Sequence, residues 1–396
     1  MKKIISYGTI LCLMLLPVSG MAANFTWVNW VGDQNWVDGG NWNQEGVAPT
    51  AADDTHFNQG PGVLGAIVST TNAVGARLVM DHTVTVTVAA GGELTVTQAL
   101  LGNPAGSVDN DLVVDGGVLN ITDTAPIGVA GNGSITVNSG TLNATGDWLI
   151  AGYDVGGSGD IVVNGGTVNA KILYAGNNGD GGITVNGGVV NAAGVLVVAL
   201  ANPTTGHVTV NGGVLSVTGF NVGENDGTGI VDLNGGQLIN TGGFVQNTNA
   251  VFNFAGGELV FTSSTLADVN WAIDNGGGTW NFAEFRSVVS NAQGVVVSSI
   301  AIPPTEAATI VSSTVSNNLM KIVVDTPSGV HLYHPMASSN LATGAWGSIP
   351  HSDDGVNAFV VTNLEYSTAD ASGTNEVIYV QVDYVQKFFK VDGEQP

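Results

Sequence analysis

A three-residue turn recurs along this chain, and the same apolar pattern leads into it each time. Asp115-Gly-Gly, Asn138-Ser-Gly, Asn164-Gly-Gly, Asn186-Gly-Gly, Asn211-Gly-Gly, Asn234-Gly-Gly and Ala255-Gly-Gly follow at steps of 23, 26, 22, 25, 23 and 21 residues. Weaker copies stand at Ala90-Gly-Gly and Asn275-Gly-Gly. Three and one residues before the turns come Leu112 and Val114, Ile135 and Val137, Ile161 and Val163, Ile183 and Val185, Val208 and Val210, Val231 and Leu233, Phe252 and Phe254. All are apolar. Between them stand Val113, Thr136, Val162, Thr184, Thr209, Asp232 and Asn253, which are mostly polar. Alternation with a period of two describes a strand with one buried face. Four residues after each turn position an apolar residue recurs, from Leu119 to Leu259, and marks a second strand.

A third segment closes several units: Ile127-Gly128, Ile150-Ala151-Gly152, Tyr174-Ala175-Gly176 and Val222-Gly223, with Leu200 expected in the glycine place of one repeat. A unit of three short strands cannot bury its own apolar face, but stacked units bury a continuous one. The expected fold is therefore all-β, a right-handed parallel β-helix of roughly nine coils. No helix pattern is visible. Asn suits the turn position because it tolerates left-handed backbone and because its amide reaches the same residue one coil away. Asn138, Asn164, Asn186, Asn211 and Asn234 are the expected turn ladder. Asn120, Asn143, Asn169 and Asn191 form a second row, read as a corner ladder or as a binding stripe.

The coil resembles the pectate-lyase-like β-helix repeat proteins. It is most similar to the strand repeats of autotransporter passengers and other large exported bacterial proteins. The resemblance spans roughly 85 to 285 and implies architecture, not chemistry. Asn35-Trp36, Asn41-Trp42, Pro49, Asp54 and Phe57 resemble the entry segment of such proteins. Ser339-Asn340-Leu341, Gly344-Ala345-Trp346 and Phe388-Phe389 resemble the small β module that ends many of them. The expected organisation is a signal peptide over 1–23, an aromatic cap with first strands over 24–84, repeats over 85–295, a linker over 296–315 and a β-sandwich-like module over 316–396. The module is too short for a membrane barrel of many strands.

Lys2 and Lys3, the apolar run Ile4 to Pro17 and the small residues Gly20, Ala22 and Ala23 read as a secretion signal, so an extracellular or cell-surface location is expected. No apolar segment long enough to span a membrane follows. Cleavage would remove Cys12, the only cysteine, and with it any thiol chemistry. It would also remove two of 8 basic residues and none of 32 acidic ones, leaving 6 − 32 = −26. That charge disfavours nucleic acid and anionic membranes as partners. An extracellular glycan or a protein fits it better.

The search for chemistry yields little. Between Leu78 and Phe285 the only Lys or Arg is Lys171, which argues against a lyase needing a basic proton acceptor. Asp111 and Asp160 fall at equivalent positions two coils apart, about 9.6 Å by strand spacing. That is the edge of the inverting-glycosidase range, so a secreted polysaccharide-active enzyme is the alternative to a non-catalytic adhesive or structural rod. Asp154, Asp160, Asp180, Glu224 and Asp226 are expected along one edge, as a solvated acidic stripe or a Ca²⁺ site. No other cofactor is implied. Trp27, Trp30, Trp36 and Trp42 serve either as a cap over the first coil or as a platform for stacking sugars. His331, His334 and His351 are conceivable metal ligands, but an odd spacing along a strand turns the first two to opposite faces.

Overall fold

The structure, a computed structural model, describes residues 23–300 apart from 45, 59–62, 104–109 and 284, and beyond them the backbone of seven strands. The signal-like segment 1–22 lies outside the described residues. The chain divides into two compact units at 299/300. The first is a β-solenoid of about 9 turns.

Its wall has three faces of parallel strands. The first face stacks Val84–Ala89, the start of Asn110–Ile121, the start of Asn132–Ala151, Ser158–Val163, Asp180–Val185, Thr205–Val210, Thr228–Leu233, Ala250–Phe254 and Thr279–Phe282. The second runs from Ala73 through Leu94, Leu119, Leu142, Val168, Val190, Leu215 and Leu238 to Leu259. The third begins at Asn24–Thr26, stacks on Asp54–Phe57 and the Arg77–Met80 end of the next strand, and continues to Phe244–Gln246. Parallel stacking thus starts well before the first clear repeat, inside the tryptophan-rich segment.

The alternation of the sequence becomes burial. All fourteen apolar residues flanking the turns are 0–1% exposed, and the second-strand residues Leu119, Leu142, Val168, Val190, Leu215, Leu238 and Leu259 are equally buried. The outward residues between them are half-buried.

The turns correct one expectation. None of the ladder asparagines has left-handed backbone. The positive φ falls on the glycine two residues after it, for example Gly140 at 85° and Gly166 at 71°. A Cβ on Gly140 would stand 2.3 Å from the carbonyl oxygen of Gly117 on the coil before. Glycine is needed there for close approach as much as for conformation. Asn is left free for its hydrogen-bonding role. A second glycine slot follows the third face at Gly128, Gly152, Gly176 and Gly223, with φ of 70–82°. In the odd repeat it is Ala199, not Leu200, that fills the slot, at φ 61°. Val198 pairs with Ala175, which places Ala199 opposite Gly176.

Both ends of the apolar core are closed by aromatic rings. Trp42 lies 5.1 Å from Trp27 and 5.0 Å from Trp36, and Phe57 stacks on Trp27 at 5.6 Å. Arg77 forks onto Asp54 beside this plug. At the other end Trp280 stacks on Phe252 at 4.1 Å, and Phe254 stacks on Phe282 at 4.8 Å. Strand Gly294–Ile300 then pairs antiparallel with Glu258–Phe261, so the parallel ladder stops there.

The absence of helix is a second expectation overturned. Leu266–Asn275 is an α-helix, opened by a capping box between Thr265 and Asp268. Asn275-Gly276-Gly277 is therefore the end of this helix and not a ninth copy of the turn. The helix signal was the Thr265-x-x-Asp268 start, obscured by the expectation of another coil. Among the described residues no helix is long and apolar enough to cross a membrane.

The second unit holds two small antiparallel sheets. One joins Thr309–Ser316, Leu319–Asp325, Glu376–Gln381 and His351–Ser352, and the other joins Gly347–Ser348, Leu332–Ser338 and Phe388–Glu394. The stretch 296–315, expected as a linker, carries the end of one strand and most of another.

Candidate functional site

The outer surface of the rod is organised by rows that run across the coils. In the turn row each amide donates to the side-chain oxygen of the preceding coil. Asn164 donates to Asn138 at 2.9 Å, Asn186 to Asn164 at 2.8 Å, Asn211 to Asn186 at 2.8 Å and Asn234 to Asn211 at 2.9 Å. The corner row does the same: Asn143 to Asn120, Asn169 to Asn143 and Asn191 to Asn169, at 2.9, 2.9 and 3.1 Å. Stacked identical coils bring equal side chains to one strand spacing, which is the distance at which amides chain together. These rows spend their hydrogen bonds on each other.

The first face carries the acids of the enzyme alternative. One outward row reads Asp111, Ser134, Asp160, Gly182, His207 and Ile230. Ser134 donates its hydroxyl to Asp111. Asp160 lies with its carboxyl over Gly182 of the following coil, where no side chain stands. Burial raises the Asp160 pKa above the usual carboxylate value. A raised carboxyl pKa disfavours the charged form in the folded state. The associated stability is fully present below the unfolded pKa and is lost as pH rises through the folded one. Asp160→Asn is accordingly expected to raise the melting temperature at pH 7 and to have no such effect at pH 3. A thermal-melt series across pH checks this; a loss of stability at pH 7 contradicts it.

The sequence reading missed His207. Its Nε2 lies 2.6 Å from Asp232, and the other oxygen of Asp232 accepts from Asn253 at 2.6 Å. Asn281 continues the chain to Asn253 at 2.8 Å. This contact joins positions two residues apart on neighbouring strands, a diagonal that single-repeat alignment does not reveal.

Three acids of the expected stripe take hydrogen bonds of their own. The Asp154 carboxylate accepts from Val155, Asp180 from the Thr205 amide at 2.8 Å, and Glu224 from Asn221 at 3.2 Å. Asp226 is exposed in a short 3-10 turn, Glu224–Asp226. Among the described residues no three acidic or histidine side chains gather as a metal-holding group. His331 lies outside the described residues, as do the side chains of His334 and His351.

The tryptophans divide. Trp27, Trp36 and Trp42 are buried at 0–1% exposure, and two of them spend their indole N–H inside the fold: Trp27 on Leu64 O and Trp42 on Trp36 O, both at 2.8 Å. These three cannot stack on a sugar, and that reading is corrected for them. Of these four, Trp30 alone, 61% exposed, stands in solvent. Exposed tryptophans occur elsewhere, at Trp148 and Trp271, and a half-buried Tyr174 lies beside Trp148. Trp148 and Tyr174 sit on the outside of the third face, next to the inward Leu149 and Leu173. Their signal was parity: each stands one residue before or after a fully buried leucine.

No family model, curated protein or solved structure matches this chain.

Proposed function

We propose that this chain is an exported structural or adhesive rod. It presents its outer faces, in the extracellular space or at the cell surface, to neutral glycans or proteins through weak repeated contacts, and performs no catalysis. One observation carries the reading. Inward positions are filled by packing residues, and the outward polar rows bond along the rod to their own neighbours. Such a surface suits many shallow contacts better than one enclosed reaction centre. The resemblance to the repeats of exported bacterial proteins supports the same reading, as does the strong negative charge, which repels polyanions. The reading requires no cofactor.

Fractionated cultures of the source cell test it. The full-length protein is expected in the surface or medium fraction, and deletion of 316–396 is expected to move it from surface to medium. Retention of the full-length protein in the cytoplasm overturns the proposal.

A further inference from the structure

The third face carries an aromatic pair on its outer side, with Trp148 exposed and Tyr174 half-buried. Leu149, Leu173 and Leu196 point into the core and are 0–1% exposed, so their neighbours in the strand point outward. Two of these neighbours are Trp148 and Tyr174. Trp148 is 40% exposed. Its ring centroid lies 6.4 Å from that of Tyr174, with the planes at 74°. Ile172 stands beside Trp148 on the next coil, and Tyr174 stands between Ile150 and Val197 in its row. Ile150 and Val197 are themselves buried, so the phenol sits on a firm aliphatic base.

Polar groups surround the pair. Asp147 precedes Trp148 and accepts from the Lys171 ammonium at 3.2 Å, which also donates to Gly146 O at 3.1 Å. Asn221 is the next residue of the Tyr174 row beyond Val197, and its amide donates to Glu224. Burial first, then the carboxylates of Glu224 and Asp147, hold the Tyr174 pKa above its ordinary value. Both acids are thus within electrostatic reach of the phenol, which stays protonated and can donate a hydrogen bond.

We propose that this patch is a binding site for a neutral glycan, with the Trp148 ring as the platform for one pyranose. The Asp147 carboxylate and the Tyr174 hydroxyl meet the hydroxyls of that sugar, and the Asn221 amide and Glu224 carboxylate, two coils beyond Tyr174, meet those of a later sugar in the same chain. The site rests on the adhesive reading above and gives it a location. A pyranose has apolar C–H faces and a rim of hydroxyl groups, which matches an exposed indole edged with acceptors and donors. Two carboxylates against one already engaged ammonium repel an anionic polysaccharide. An apolar protein partner would leave the same carboxylates buried without partners, at a cost that water-like sugar hydroxyls avoid.

The test uses the protein without residues 1–23, titrated with cellohexaose, xylohexaose and mannohexaose, with polygalacturonate as the anionic control. Calorimetry and tryptophan fluorescence read binding. At least one neutral hexaose is expected to bind in preference to polygalacturonate. Trp148→Ala is expected to weaken it about tenfold or more, roughly 1.4 kcal/mol. Tyr174→Phe is expected to weaken it several-fold, and Trp30→Ala to leave it unchanged. Trp148→Phe, which keeps an aromatic platform, is expected to retain most of the affinity and guards against misfolding of the alanine variant. Wild-type affinity in Trp148→Ala, preference for polygalacturonate, or no binding of any neutral hexaose overturns the site. Adhesion of the wild type to source-cell envelopes separates the two failures. If it persists while the site fails, the adhesive reading stands; if it is absent too, both fall.

Discussion

Val185→Asp is expected to abolish the folded rod, while Thr184→Asp beside it leaves the fold in place. Val185 is fully buried and stacks between Val163 on one coil and Val210 on the next. A carboxylate there has no partner and no water. Burying it costs several kcal/mol even after its pKa rises, and a penalty above about 4 kcal/mol is a large part of a domain's stability. Thr184 points outward between Val162 and Thr209, half-buried, so a charge at that position keeps its hydration. Its substitution is expected to cost under about 1 kcal/mol. Denaturant unfolding followed by circular dichroism reads both. Equal effects at the two positions would contradict the register of the strand.

The second large effect is expected from Trp42→Ala. Trp42 is 0% exposed and its ring touches Phe25, Trp27, Trp36 and Phe57. Truncation removes these contacts, opens a cavity and deletes the hydrogen bond to Trp36 O. Loss of a buried aromatic of this kind costs about 3–5 kcal/mol. In a stack of coils that loss is felt first by the nearest neighbours. Hydrogen exchange is therefore expected to quicken in the strands of 54–101 before those of 205–233. Uniform loss of protection along the rod would show that the plug does not act locally. Trp30→Ala, at an exposed ring, is the control and is expected to leave exchange unchanged.

The clearest parts of the fold were legible because a solenoid repeats its own logic. An inward residue in one coil has an inward residue above and below it, so Ile135, Ile161 and Ile183 declare one another. Strand phase, turn position and the asparagine rows all follow from that translation. Signals that do not repeat were harder to read. The Thr265–Asp268 capping box marks a helix that occurs once, in a place where the period asked for another coil. Ala199 was hidden one residue from its slot because only the pairing of Val198 with Ala175 sets the count.

The same distinction separates what the sequence by itself determined from what tertiary structure decided. Composition and periodicity determined the solenoid core, since apolar residues at a period of two have one way to leave water when the unit is too small to fold alone. They also determined that asparagines would chain from coil to coil. Which tryptophans are buried was decided in three dimensions. Trp27 and Trp42 meet across a local antiparallel bridge, Trp36 joins them from the turn between, and Phe57 packs on Trp27 from the next strand, whereas Trp30, close by in sequence, is left outside. The partners of the acids were decided there too. Asp111 takes Ser134, Asp160 turns toward the gap over Gly182, and Asp232 finds His207 on a diagonal. A side chain's choice between neighbours above, below and across depends on the space each leaves, and that space exists only once the coils are stacked.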